Sequence, residues 1–146
     1  MKIYELGHVV LYVSNLEKVA GFYRDTLGFT EIHRGGGVAA FSGGRTHHEL
    51  LLIEVGGVPA APREPKPGLY HIGFKIGESP EDLRAAYREL KDRGVSIVGA
   101  GDHTVTHSLY ILDPDGNELE LYADVSNEWK TNPRAVMTPV RPLNLE

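Results

Sequence analysis

With 20 acidic against 15 basic side chains and neutral histidines, this 146-residue chain carries a formal charge of −5, which argues against nucleic acid or an anionic membrane surface as partner. It has no cysteine, so disulfides, thiolate metal sites and a cysteine nucleophile are excluded, and any metal must be held by carboxylates and by some of its seven histidines. No apolar run approaches about 18 residues and no basic stretch leads into an apolar one at the N-terminus, so a cytoplasmic chain without membrane contact is expected, with a length suited to one domain or two small intertwined modules.

Tyr4 to Val13 alternates as a strand, with His8, Val10 and Tyr12 on one face and Leu11 and Val13 on the other. Ser14-Asn15-Leu16-Glu17 reads as a capping box, and Leu16, Val19, Ala20, Tyr23 and Leu27 then fall at helical spacing until Gly28 supplies a stop. Strands are expected over Phe29 to Ile32, Val38 to Phe41 and His47 to Val55, separated by glycine pairs and triplets. The first module, about residues 4–56, is therefore β-α-β-β-β. Residues 57–68 carry four prolines and read as a linker.

The pattern then restarts. Leu69 to Ile76 is a strand with His71 out of phase with Ile72 and Phe74, and Ser79-Pro80-Glu81-Asp82 opens a helix whose buried stripe is Leu83, Ala86, Tyr87 and Leu90, closed by Gly94. Ser96 to Val98 and Thr106 to Leu112 are strands. The latter turns at Asp113-Pro114-Asp115-Gly116 into a last strand running to about residue 124. Gly7-His8-Val9 and Tyr70-His71-Ile72 lie 63 residues apart at matching places, which marks an internal duplication. The tail, residues 125–146, has no sustained period; its Trp129 is expected to anchor packing.

If Asp115 is the midpoint of the last hairpin, Tyr110 lies opposite Glu120 on one sheet face while Leu119 and Leu121 point the other way. His8, His71 and Glu120 are each out of phase with their core neighbours. Two imidazoles and a carboxylate from three strands are the composition of a facial triad, which holds a metal and leaves coordination positions open.

Gly7-His8-Val9, Phe22-Tyr23 with Leu27-Gly28-Phe29, Tyr70-His71-Ile72 and Tyr110 with Asp113-Pro114-Asp115-Gly116-Asn117 and Glu120 resemble the vicinal oxygen chelate superfamily, over roughly residues 4 to 124. That family includes glyoxalase I, fosfomycin-resistance and bleomycin-resistance proteins, methylmalonyl-CoA epimerase and extradiol dioxygenases. The resemblance implies an α+β fold in which two βαβββ modules form an incomplete barrel around a metal, with His8, His71 and Glu120 on the ligand positions. The whole chain, 1–146, would then be a single domain. His47-His48 before a Leu, and the ten-residue spacing from Tyr110 to Glu120, look most like a small one-domain extradiol dioxygenase. That implies Fe(II), with Mn(II), Ni(II), Co(II) or Zn(II) as alternatives, a small aromatic diol and O2 as substrates, His48 as acid/base, Tyr110 and His103 as hydrogen-bond donors, and a homodimer. His107 and His33 read as structural and solvated. A glyoxalase-like lyase or isomerase is the alternative, and Glu49 as a fourth ligand would mark it. A drug-binding resistance protein without chemistry is another.

Overall fold

The computed structural model describes residues 1–58, 65 and 67–146, so most of the expected proline-rich linker, at 59–64 and 66, lies outside the described residues. The chain divides into two compact units, Met1–Arg63 with Pro114–Gly116 and Glu64–Asp113 with Asn117–Glu146.

The first unit builds one sheet from β1 (Val9–Val13), β2 (Thr30–Gly35), β3 (Val38–Ser42) and β4 (Leu50–Glu54), in the order β1-β4-β3-β2 with β1 and β4 parallel. The strand expected from Tyr4 begins only at Val9. Among the described residues the edge strand β1 pairs with β4 alone, from Val9 with Leu50 to Val13 with Glu54, and no pairing extends the ladder towards the N-terminus. Alternation sorts its side chains, with Leu11 and Val13 buried and Val10 and Tyr12 exposed. Helix α1 (Leu16–Gly21) widens into a π-helical turn at Phe22–Thr26 and stops at Gly28, whose φ of +76° suits glycine. It buries Leu16, Val19, Ala20 and Tyr23, and Phe41, Leu50 and Leu52 are buried on the strands of the same unit.

The capping box expected at Ser14 does not form, and a simple N-cap sits one residue later. Asn15 is the N-cap and accepts from the Lys18 N–H at 2.8 Å. Ser14 instead donates its N–H and hydroxyl to the Asp115 carboxylate at 2.7 and 2.5 Å, and Glu54 accepts from the Leu16 N–H. A carboxylate distant in sequence has taken the hydroxyl that would have capped the helix.

The second unit repeats the plan with β5 (His71–Gly77), β6 (Ile97–Asp102), β7 (Thr106–Leu112) and β8 (Glu118–Asp124) in the order β5-β8-β7-β6, β5 and β8 again parallel. The shared strand order supports the duplication that the histidine spacing suggests. Helix α2 (Pro80–Asp92) starts at a reciprocal Ser79/Asp82 capping box and buries Leu83 and Leu90, and Leu109, Ile111, Leu119 and Leu121 are buried on β7 and β8. The fold is α+β, with each unit a βαβββ module.

The tail does not stay irregular. It forms 3₁₀ turns at Glu128–Lys130 and Pro133–Met137, then adds β9 (Arg141–Pro142) to the free edge of β6. Thr104, next to β6, has φ of +73°, the sole positive value at a residue other than glycine among the described residues. For a β-branched side chain that conformation is an outlier, at a cost of about 1–2 kcal/mol. No helix among the described residues is long and apolar enough to cross a membrane.

Candidate functional site

The hairpin of the second unit sets the site. Its loop closes between Asp113 and Asn117: the Asp113 N–H donates to the Asn117 carbonyl at 3.0 Å, and the Asn117 N–H donates to Asp113 Oδ1 at 2.8 Å. This register pairs Tyr110 with Glu120 across β7 and β8. On the other side of β8 the parallel strand β5 pairs Gly73 with Glu120, which leaves room beside the carboxylate and brings His71 diagonally next to it. His71 Nε2 lies 3.1 Å from Glu120 Oε2. Of the sequence-expected ligands, these two converge within one unit.

The two oxygens of Glu120 do different things. Oε1 accepts from the hydroxyl of fully buried Ser108 at 2.6 Å and from the Tyr110 phenol at 3.3 Å, while Oε2 faces His71. The Tyr110 oxygen also lies 2.8 Å from His103 Nε2. Burial, and then the negative charge of Glu120, push the Tyr110 phenol up to about 12, so it stays protonated and able to donate at neutral pH. His71 Nδ1 is buried without a hydrogen-bond partner among the described residues, with Glu118 Oε1 at 3.8 Å.

In the first unit, His8 precedes β1 and His48 lies just ahead of β4. The parallel register therefore puts their rings 4.4 Å apart between centroids. His47 Nδ1 lies 2.6 Å from His48 Nδ1, so one ring must donate and the other accept, and His48 Nε2 has no hydrogen-bond partner among the described residues. Burial, followed by the neighbouring His8 and His47, lowers the His48 pKa and favours its neutral form. His33 is exposed, and His107 Nε2 lies 3.7 Å from Asp102 Oδ1.

Glu49 has another task. It accepts from the N–H groups of Gly43, Arg45 and Thr46 at 2.7, 2.9 and 2.8 Å, closing the turn that leads into β4. Desolvation pushes its carboxyl up, but the backbone donors outweigh that and hold it below the usual range. Glu49→Ala is therefore expected to lower the melting temperature by a few degrees and to leave metal stoichiometry unchanged. A lost metal ion in this variant would instead identify a fourth ligand.

Imidazole nitrogen and carboxylate oxygen suit Fe(II), Mn(II), Co(II), Ni(II) and Zn(II). Two such donors, each about 2.1 Å from one ion and at right angles, stand about 3.0 Å apart, close to the 3.1 Å between His71 and Glu120. The unpartnered His71 Nδ1 beside Glu118 matches the outer-shell carboxylate that commonly orients a ligating imidazole. The donor set fits a divalent metal. Within neither unit do three His, Asp or Glu side chains gather as a metal site among the described residues. Ser108 escapes sequence reading because a serine next to a core leucine on a strand carries no spacing signal; its sole cue is that it shares a face with Tyr110.

A family model for the glyoxalase/bleomycin resistance protein/dioxygenase superfamily matches residues 5–121. The chain belongs to that superfamily. It is 33% identical over 119 residues to a catechol-2,3-dioxygenase of Bacillus subtilis, covering 82% of this chain and 41% of that protein. It is 34% identical over 119 residues to the metallothiol transferase FosB of Staphylococcus epidermidis, covering 80% of this chain and 81% of that one. The chain thus spans less than two thirds of the diol dioxygenases it matches. Among solved structures, the fosfomycin resistance protein FosX of Listeria monocytogenes superposes with a TM-score of 0.68 at 24% identity, covering 87% of this chain and 98% of that one, which speaks to the fold alone.

Proposed function

We propose that this superfamily member is an extradiol-type dioxygenase that uses Fe(II), ahead of Mn(II), Co(II), Ni(II) or Zn(II), to open a catechol-like ring with O2. The observation that carries the reading is the Tyr110 phenol, set opposite Glu120 and held by His103, on the face where His71 and Glu120 meet. The identity to a catechol-2,3-dioxygenase supports it. His71 and Glu120 hold the metal with His8, the ligand that the sequence assigns in the first unit, and the two units act as modules of one domain. A cytoplasmic homodimer belongs to the same reading.

When bound, the metal supplies a Lewis acid and a template for the two vicinal oxygens of the diol. His48, with Nδ1 engaged by His47, takes a hydroxyl proton at Nε2 and returns it to the ring-opened product. The protonated Tyr110 phenol donates to the substrate oxygen that becomes a ketone, and His103 orients that phenol. Cleavage falls beside the two hydroxylated carbons, not between them.

A metal-dependent thiol transferase is the second reading, favoured by the fuller coverage of FosB. An oxygen electrode separates the two. Protein loaded anaerobically with Fe(II) should consume oxygen and form a yellow ring-opened product with at least one of a panel of substituted catechols. No uptake and no yellow product across the panel would overturn the first reading, and thiol loss in the presence of fosfomycin would favour the second.

A further inference from the structure

The tail that carries β9 lies beyond residues 5–121, the part matched to the family, yet it meets the turn that carries His103 at several points. Thr138 Oγ1 lies 2.8 Å from Thr104 Oγ1 and 3.3 Å from the His103 carbonyl oxygen. Arg141 pairs with Asp102 twice, through the β9–β6 ladder and through an ion pair of 3.0 Å. Asp102 in turn accepts from the Thr104 N–H at 2.7 Å. Val140 packs over Gly101 so closely that a Cβ there would meet its Cγ1 at 2.8 Å and His103 Nε2 at 3.3 Å. These contacts surround Thr104, the β-branched residue held at positive φ. A backbone held off its preferred conformation persists where surrounding contacts over-determine it, and such residues cluster at functional sites. What this one turns is His103, whose Nε2 sits 2.8 Å from the Tyr110 phenol.

We propose that Thr138 is a positioning residue: the tail, docked as β9, clamps the 102–104 turn so that His103 meets Tyr110. The consequence for turnover rests on the dioxygenase reading above; the geometric part does not. Full-length protein with 15N-labelled histidine provides the test, with Thr138→Val, Thr138→Ser and Arg141→Ala compared to wild type. Arg141 is largely exposed, so its replacement leaves the core intact should Thr138→Val fold poorly. Thr138→Val and Arg141→Ala should each shift or split the His103 ring signals and lower kcat about 10-fold with KM within about 2-fold, because misplacing an orienting group harms the reacting state more than binding. Thr138→Ser, which keeps the hydroxyl, should match wild type in both. Unchanged His103 signals in Thr138→Val or Arg141→Ala would overturn the proposal, as would shifted signals with unchanged kcat. If wild type consumed no oxygen with any diol, the dioxygenase reading would fall while the histidine spectra still decided the clamp.

Discussion

Glu120→Ala and His71→Ala are each expected to weaken divalent-metal binding by more than about 100-fold, beyond the 10–100-fold typical for outer-shell partners. Anaerobic equilibrium dialysis would measure this, with circular dichroism to confirm folding. The expectation follows from the geometry of β5 and β8: Glu120 Oε2 and His71 Nε2 face each other at 3.1 Å. Ser108→Ala should fall at the milder end, near 10-fold, because it removes only the 2.6 Å hydrogen bond that fixes Oε1. A Glu120→Ala protein that binds metal as tightly as wild type would remove Glu120 from the ligand set.

Tyr110→Phe should keep the metal and lower kcat by about 100-fold, within the range for a lost proton-transfer or hydrogen-bonding group. The ring can still pack opposite Glu120, and Ser108 still holds Oε1, so the carboxylate has no reason to turn. What disappears is the donor that burial and Glu120 keep protonated. Metal loss in this variant would mean that the phenol holds the carboxylate in place, contrary to the division of labour between Ser108 and Tyr110.

Much of this arrangement is legible in the sequence because it depends on strand alternation. The Tyr110–Glu120 register follows from the Asp113–Asn117 loop, and the 63-residue spacing of His8 and His71 agrees with the same four-strand order recurring in both sheets, β9 aside. What escapes are features decided by groups distant in the chain. Ser14 looks like a cap until the Asp115 carboxylate takes its hydroxyl. β1 looks long until its single partner β4 ends it at Val9. Glu49 reads in the sequence as a possible fourth ligand, whereas three backbone N–H groups donate to its carboxylate in the folded turn. The tail has no period, yet its Arg141 completes an edge of the second sheet and its Thr138 reaches the His103 turn. Periodicity reports which face a side chain occupies, and these outcomes depend on which group arrives there.

The proposed function requires a metal held by two histidines and one carboxylate. Its most direct test is metal analysis with X-ray absorption on protein purified without oxygen. About one divalent ion per chain is expected, iron when iron is supplied, coordinated by two imidazoles and one protein carboxylate with the remaining positions filled by water. Protein that retains no metal after anaerobic loading, or an ion that shows four protein ligands, would contradict it.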